Sequence, residues 1–353
     1  MARLAMCGWE SGNVHELGAF GQASGSESVV TPGRSGRYAW RSNVNVTQNV
    51  AGSAQRFIPL GAFPSAVWIR LAIGNVAMAS NATLRRSLLD LLDGSTVQLA
   101  FTCYSNGNNY LRVVLGGATA EICSGGAIPS SGFVCLEIHV VFHGSAGTIE
   151  VWSNGVKIID FTGNTIASAN ARMTDIAIGT RRVEWNAQGF GATEQADYDD
   201  LAVNDTTGSV NNGRIGQGGI YPVFPEADTA DKDFSRSAGS DNYSLVNSVP
   251  SDGDTTYVEA GVLGDRDLYS LKPISGEGEV SAVWFTLNGR VVDGAGATIQ
   301  PTIKSVATTK VASAIILTNT YAAQGALFET DPNGGIPWTA TAINSALIGM
   351  TVV

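Results

Sequence analysis

The sequence has few charged residues, three histidines and no long apolar run, and each shortage argues against a class of protein. Charged residues make up 15% of the 353 positions, and the formal net charge is −10. Apart from Arg85-Arg86 and Arg181-Arg182, basic residues are not clustered, which argues against nucleic-acid binding. No run reaches the length of a membrane span, and the N-terminus lacks a signal-peptide core. We expect a soluble chain, made in a cytoplasm, without nucleic-acid or membrane partners.

Metal-binding motifs are also missing. No CxxC pair occurs among the four cysteines, which favours buried, reduced thiols over a zinc or redox motif at Cys7, Cys103, Cys123 and Cys135. His139 and His143 share one face of a predicted strand, but about 13 Å of strand separates them, too far to bind one ion. We interpret both as surface or interface imidazoles.

No pattern of catalytic side chains stands out. Glycosidases place two carboxylates across the bond they cleave, and the chain has no Glu-x-Asp-x-Glu pattern. In the stretch DYDDLAVND, residues 197–205, Asp197 and Asp199 share one strand face while Asp200 points the other way, a poor catalytic layout. A G-x-S-x-G elbow and a phosphate-binding glycine loop are absent as well. We therefore predict that the chain is not an enzyme.

Glycine is abundant instead, and it indicates short strands joined by tight turns. The chain has 42 glycines and 44% hydrophobic residues, a composition that favours an all-β protein. Strict alternation over residues 135–142 predicts a strand with Leu136, Ile138, Val140 and Phe142 on one face.

A hairpin is predicted directly after this strand. Asn154-Gly155 lies between two β-rich runs and suits a two-residue type I′ turn. This register pairs Trp152 with Lys157 and Val151 with Ile158, so that one face is aliphatic and the other brings a ring to a cation.

Composition divides the chain into three parts. Residues 1–207 contain the alternating segments of a first β domain. Residues 208–257 are rich in Gly, Ser, Asn and Asp with scattered apolar residues, which predicts an extended polar linker or arm. Residues 258–353 predict a second, smaller β-sandwich domain with one short C-terminal helix, N-capped by Thr339.

Three aspartates in turns are candidate calcium ligands. Asp252 and Asp254 lie in SDGDTTY, and Asp331 lies in DPNGG. Oxygen-rich loops of β-sandwiches are adaptable ligands for calcium, although neither segment fits the EF-hand pattern. Asx-turns explain these aspartates equally well. Calcium is the one cofactor that the sequence leaves open.

One loop carries candidate contact residues. Trp185 and Phe190 lie among Gly and polar residues in RRVEWNAQGFGATEQADY, residues 181–198. Aromatic side chains on a loop held by a rigid sandwich are typical of sugar or protein contacts. Asp197 and Asp199 complete this candidate contact loop. The alternative is that both rings cap the end of the core.

The order of these segments resembles a known fold. FVCLEIHVVFHGSAGTIEVWSNGVKIIDFTGNT followed by DYDDLAVND resembles a concanavalin A-like, laminin-G-type jelly roll. The opening MCGWESGNVHELG with GRSGRYAWRSN is similar to that domain in tailed-phage virion proteins. IYPVFPEADTADKDFS, VPSDGDTTYVE, GDRDLYSL and FETDPNGGIPWTATAINSALIGM are similar to later segments of those proteins. No catalytic or sugar-binding residue carries over, because the match concerns the scaffold.

This resemblance implies a non-enzymatic structural component of a bacteriophage virion, either a tail or baseplate protein or a decoration protein on the head exterior. It would be made in the host bacterial cytoplasm, reside in the virion, contact other virion proteins and form a homo-oligomer. The alternative is a lectin-like module that binds host-surface glycan through Trp185, Phe190 and the Asp-rich loops. A glycan hydrolase or lyase is a third hypothesis, which the missing carboxylate pair disfavours.

Overall fold

The computed structural model describes residues 2–46, 52–77, 85–104, 109–117, 121–182, 192–275, 279–292 and 296–353. The chain divides into two compact units. The first unit comprises Met1–Glu10 and Leu17–Ile220, and the second comprises Ser11–Glu16 and Tyr221–Val353.

The first unit consists of antiparallel strands. Its described residues form β1 (Arg3–Cys7), β2 (Ala19–Ala23), β3 (Gly25–Val30), β4 (Ala39–Val46), β5 (Ser53–Pro59), β6 (Ala66–Ala77), β7 (Arg85–Asp93), β8 (Thr96–Tyr104), β9 (Tyr110–Leu115), β10 (Glu121–Ala127), β11 (Phe133–Val141), β12 (Gly147–Ser153), β13 (Val156–Gly163), β14 (Asp175–Arg182) and β15 (Ala192–Asp205).

These strands form two sheets. The eight-stranded sheet has the order β13-β12-β11-β6-β15-β4-β3, with β1 paired to β15. The seven-stranded sheet has the order β10-β9-β8-β7-β14-β5-β2. Contacts between β14 and both β4 and β15 pack one sheet on the other. The prediction of an all-β sandwich is confirmed.

Alternation along β11 sets the two faces of the eight-stranded sheet. Leu136, Ile138 and Val140 are at most 1% exposed and face the core, as predicted. On the neighbouring strand β6, Ile69 and Leu71 are equally buried and pair with them. Because side chains alternate along a strand, every second residue of β11 and β6 points to the opposite face.

The predicted hairpin forms, with one change of register. Asn154 and Gly155 have φ values of 47° and 84°, as a type I′ turn requires. Trp152 pairs with Lys157 as predicted. The prediction for Val151 is wrong, because β13 contains an irregularity at this point and Val151 pairs with Ile159 rather than with Ile158.

The second unit also consists of antiparallel strands. Its described residues form β16 (Pro225–Lys232), β17 (Ser235–Arg236), β18 (Val258–Glu259), β19 (Arg266–Leu271), β20 (Glu279–Val280), β21 (Val283–Gly289), β22 (Ala297–Ser305), β23 (Thr308–Val311), β24 (Ile315–Leu317), β25 (Ala322–Phe328), β26 (Trp338–Thr339), β27 (Leu347–Val352), the helix α1 (Ala340–Ser345) and 3-10 turns at Val14–Glu16 and Tyr243–Leu245.

One larger sheet and three strand pairs organise this unit. The six-stranded sheet has the order β16-β19-β27-β22-β23, with β24 paired to β22, and the pairs are β17-β18, β20-β26 and β21-β25. Ile303, Phe328 and Trp338 are at most 1% exposed in its core. The Thr339 hydroxyl accepts a hydrogen bond from the backbone N–H of Ala342, which is the predicted N-cap of α1.

The segment 208–257 differs from the extended linker that the sequence predicts. It contains β16, which pairs with β19 at the edge of the six-stranded sheet, and β17, which pairs with β18. The boundary between the two units lies after Ile220. The polar composition of β16 misled the prediction, because an edge strand with few buried side chains has little apolar periodicity.

The four cysteines form no disulfide. Cys7, Cys103 and Cys135 are buried free thiols, and Cys123 is partly buried on β10. Burial raises the pKa values of Cys103 and Cys123 to about 12, so neither is a reactive thiolate near neutral pH. In the described parts of the chain, no helix is long and apolar enough to cross a membrane.

A buried ion pair joins the two sheets. Arg86 lies on β7 and Glu194 on β15, and both side chains are 1% exposed. Because the two strands belong to different sheets, this pair crosses the sandwich interior. Removing one partner leaves the other charge buried without its counter-ion, which is costly in a medium of low polarity.

We therefore expect Glu194→Gln to lower the free energy of unfolding by about 3–5 kcal/mol. A matched control is Glu121→Gln, since Glu121 also pairs with an arginine, Arg112, but both partners are 27–28% exposed. That control should cost less than about 1 kcal/mol. Urea unfolding of the two variants measures the difference, and equal costs would contradict an interior role for the Arg86–Glu194 pair.

Candidate ligand-binding face

One face of the eight-stranded sheet combines aromatic and charged side chains. Strand pairing places β6 and β12 on either side of β11, so that side chains pointing away from the core form two rows across the strands. We call this surface the polar face, and its members are Trp68 and Arg70 on β6, Glu137 and His139 on β11, Glu150 and Trp152 on β12, and Lys157 on β13.

Three rings of the polar face are stacked. The centroids of Trp68 and His139, which are direct cross-strand partners, lie 4.1 Å apart with an interplanar angle of 11°. Trp68 and Trp152 lie 5.7 Å apart at 26°. All three side chains are only partly buried. Two tryptophans therefore keep part of their apolar surface in contact with water.

Glu150 connects this ring stack to a lysine. His139 Nδ1 lies 3.0 Å from Glu150 Oε2, and Lys157 Nζ donates to Glu150 Oε1. Lys157 Nζ is also 5.1 Å from the centroid of the Trp152 ring. The hydrogen bond from Lys157 lowers the pKa of Glu150, and the bond from His139 adds to the effect. An ionised Glu150 accepts only, so Nδ1 of His139 carries the proton in this contact.

A segment beyond the last strand of the sandwich adds an arginine. Residues 206–220 follow β15, and within them Arg214 donates from Nε and Nη2 to Glu137 Oε2, the first of these bonds being 2.6 Å long. The Arg214 guanidinium lies 4.5 Å from the centroid of the Trp152 ring. Asn204 Nδ2 donates to the carbonyl of Gly213 at 3.3 Å, which holds the neighbouring backbone.

Two of the predicted contact residues have internal partners instead. Asp197 accepts two hydrogen bonds from Arg41 and one from Asn75 Nδ2 and is 1% exposed. Asp199 accepts from the backbone N–H groups of Arg34, Ser35 and Asp200 and is fully buried. The structure does not support either carboxylate as a contact residue. Trp185 and Phe190 lie outside the described residues.

Asp199 and Asp200 are adjacent members of one buried cluster rather than opposite faces of a strand. Asp200 has a φ of 54°, and the pairing register shifts between Asp199 and Ala202, so β15 is irregular at this point. The Asp200 carboxylate accepts from Arg34 and Ser35, whose backbone N–H groups donate to Asp199. Burial and the adjacent Asp200 charge raise the pKa of Asp199, and its backbone donors oppose that rise.

The calcium candidates lie in ordinary turns or ion pairs. Asp252 accepts from the backbone and hydroxyl of Thr256, and Asp331 Oδ1 accepts from the backbone N–H of Asn333. Asp254 accepts from Arg290 and Tyr321. Across the described ranges, no group of three or more His, Cys, Asp or Glu side chains could hold a metal ion. His143 Nδ1 accepts from two backbone N–H groups of the following turn.

The sequence shows only part of the polar face in advance. The Trp152–Lys157 contact follows from the hairpin and was predicted. Trp68 could have been added by noting that it alternates with buried residues Val67 and Ile69 on a long strand. Arg214 carries no such signal, because it lies in an irregular segment 77 positions from its partner Glu137.

Comparison with known proteins yields structural similarity alone. No known family and no curated protein matches the sequence. Among solved structures, an endo-β-1,4-glucuronan lyase from the fungus Trichoderma reesei is similar at 12% identity and a TM-score of 0.43, over 57% of this chain and 95% of the lyase. An alginate lyase is similar at 12% identity and a TM-score of 0.39, over 57% and 93% of the two chains. A sialidase is similar at 9% identity and a TM-score of 0.36, over 57% of this chain and 18% of its own.

These comparisons correct two predictions. The similar structures are carbohydrate-active enzymes rather than phage structural proteins, which contradicts the prediction of a non-enzymatic structural virion component. The prediction that the chain is not an enzyme is contradicted by the same finding. At these identities the likeness concerns the fold.

The lowered pKa of Glu150 predicts a pH-dependent contribution to stability. Because its pKa in the folded state lies below the ordinary value of 4.5, ionised Glu150 stabilises the fold above that pH, and the contribution is lost as the pH falls through the folded-state pKa. Glu150→Gln should therefore lower the free energy of unfolding by about 1 kcal/mol at pH 7. The difference should almost vanish once the pH lies below the folded-state pKa of Glu150.

Thermal unfolding of both proteins between pH 7 and pH 3 measures this difference. Glu259→Gln, which removes an exposed carboxylate of β18 in the second unit, controls for the change in net charge. A stability difference that stays constant across this range would show that Glu150 acts by packing and not by its charge.

Proposed function

We propose that the first unit binds carbohydrate on the polar face. The observation that carries this proposal is the stack of Trp68, Trp152 and His139, whose rings are partly exposed beside charged hydrogen-bonding groups. Sugars present apolar C–H surfaces next to hydroxyl groups, and an aromatic side chain with polar neighbours matches both features.

The polar groups beside the rings fit hydroxyl recognition. Glu150 is an acceptor at 25% exposure, and Lys157 is a donor at 37% exposure. Both are held by mutual contacts, so little side-chain entropy is lost when a ligand binds. The rings rest on three adjacent strands of a sheet, which keeps their spacing fixed. A preformed surface of this kind suits a rigid, extended saccharide.

This proposal corresponds to the lectin-like alternative, with a different set of contact residues. The resemblance to tailed-phage proteins supports a glycan of the host cell surface as the partner. Strand-borne residues of the polar face take the role that the sequence gave to the 181–198 loop. Virion location and assembly into a homo-oligomer are part of the same proposal.

We expect Trp152→Ala and Trp68→Ala each to weaken glycan binding about tenfold or more, because each removes stacking area at the centre of the face. A glycan array with the wild-type protein selects the ligand, and isothermal titration calorimetry then measures the variants. Phe63→Ala is the matched control, since Phe63 is an exposed ring of the same unit that also lies under an arginine, Arg172 at 4.8 Å. If Trp152→Ala and Trp68→Ala bound the glycan as tightly as Phe63→Ala and the wild-type protein, the polar face would not be the site.

Cleavage of the bound glycan is a second candidate function, and one contact favours it. In the tautomer in which His139 Nδ1 donates to Glu150, Nε2 carries the lone pair of the ring. No described residue hydrogen-bonds Nε2. An imidazole oriented by a carboxylate is suited to general-base catalysis.

If the protein cleaves its glycan, His139→Gln should lower the rate about 10²–10⁴-fold, a much larger loss than the weakening of binding that removal of one stacked ring causes. His143→Asn is the control, because an Asn side chain can accept the two backbone hydrogen bonds that His143 Nδ1 accepts in its turn. A reducing-end assay on the glycan chosen by the array detects cleavage. An unchanged rate in His139→Gln would exclude His139 as the base.

A further inference from the structure

The cations and carboxylates of the polar face lie at different depths. Glu137 is 1% exposed, whereas its partner Arg214 is 41% exposed. Glu150 is 25% exposed, whereas its partner Lys157 is 37% exposed. In both of these pairs the cation is the more exposed partner, although Lys157 also lies 3.2 Å from the exposed carboxylate of Asp160.

The two cations flank the same ring. Arg214 lies 4.5 Å and Lys157 Nζ 5.1 Å from the centroid of Trp152. Each is also held from below by a carboxylate, Arg214 through Nε and Nη2 on Glu137 and Lys157 on Glu150. Arg214 Nη1 makes no hydrogen bond to any residue in the described ranges, so a donor edge of the guanidinium remains for a ligand.

Arg214 is fixed in this position by the charge beneath it. Glu137 is buried, and its Oε1 accepts no hydrogen bond from the described residues. Withdrawing Arg214 would leave this buried carboxylate without its ion-pair partner, which is costly. The guanidinium is thus preorganised over Trp152, although it belongs to an irregular segment outside the sandwich strands.

We propose that the polar face selects an anionic carbohydrate, and that Arg214 and Lys157 bind its carboxylate or sulfate group beside the Trp152 ring. This inference rests on the proposed function and adds the substrate class. Charge-assisted hydrogen bonds from a fixed guanidinium and an ammonium suit such a group, and the adjacent ring contacts the sugar. The protein as a whole carries a net charge of −10 and repels polyanions, so binding requires this local arrangement.

The test compares probes that differ only in charge. Dextran, carboxymethyl dextran and dextran sulfate share one backbone, and their affinities for the full-length protein are measured by calorimetry at low and high salt. We expect the two charged dextrans to bind at least about tenfold more tightly than dextran, an advantage that salt reduces. Polyglutamate is the control for charge without sugar, and it should bind no better than dextran.

Variants then show which residues cause the preference for charged dextran. Lys157→Gln should reduce the preference for charged dextran about tenfold without leaving a buried acid unpaired. Arg214→Gln is made together with Glu137→Gln for the same reason. Arg172→Gln is the matched control, since Arg172 is 40% exposed, pairs with Asp93 and lies over a ring. Asp160→Asn, which removes an exposed carboxylate from Lys157, should increase the preference.

The outcomes separate this inference from the proposed function. Equal, ring-dependent binding of neutral and charged dextran would overturn the anionic class and leave carbohydrate binding in place. Tight binding of polyglutamate, or a preference unchanged in both the Lys157 and the Arg214 variants, would also overturn it. Failure of every glycan on the array and of every dextran to bind would remove the proposed function itself.

Discussion

The pairing of β11 between β6 and β12 is the constraint on which the polar face depends. Its register places Trp68, His139 and Glu150 in one row and Arg70, Glu137 and Trp152 in the next. A slip of β11 by one residue would turn Glu137 and His139 into the core and Ile138 out to solvent, because the side-chain period of a strand is two residues. The apolar partners on the core face therefore determine which polar groups meet on the other face. Selection for a packed interior and for this surface acts on the same hydrogen-bond register.

Two Arg–Glu ion pairs of the first unit differ in solvent exposure, and this difference determines what each pair can do. Arg86 and Glu194 are both 1% exposed and close the space between two sheets, where neither charge can reach a ligand. Arg214 and Glu137 combine a buried acid with an exposed base. The buried acid holds the guanidinium in place, and the exposed end keeps donors free. The Arg86–Glu194 pair therefore stabilises the packing of the two sheets, whereas the Arg214–Glu137 pair can contact a ligand.

Local sequence patterns predicted the parts of the structure in which partners are near in the chain. The turn at Asn154-Gly155 and the Trp152–Lys157 contact follow from one hairpin, and they formed as expected. The register error at Val151 came from an irregularity in β13, which alternation alone cannot reveal. The carboxylates of Asp197 and Asp199 were misread for a different reason. Asp197 binds Arg41, 156 positions away in the sequence, and Asp199 accepts from the backbone of Arg34, 165 positions away. A single sequence carries no signal that pairs residues at such separations.

The long-range partners also explain why a search for paired catalytic carboxylates missed the polar face. That search asked for two acids along one strand, whereas Glu137 and Glu150 lie on neighbouring strands and each carries a basic partner. Glu150 further joins an imidazole and an ammonium through one carboxylate. Under the proposed function, Lys157 as a ligand-binding donor and His139 as a general base would therefore share a single carboxylate.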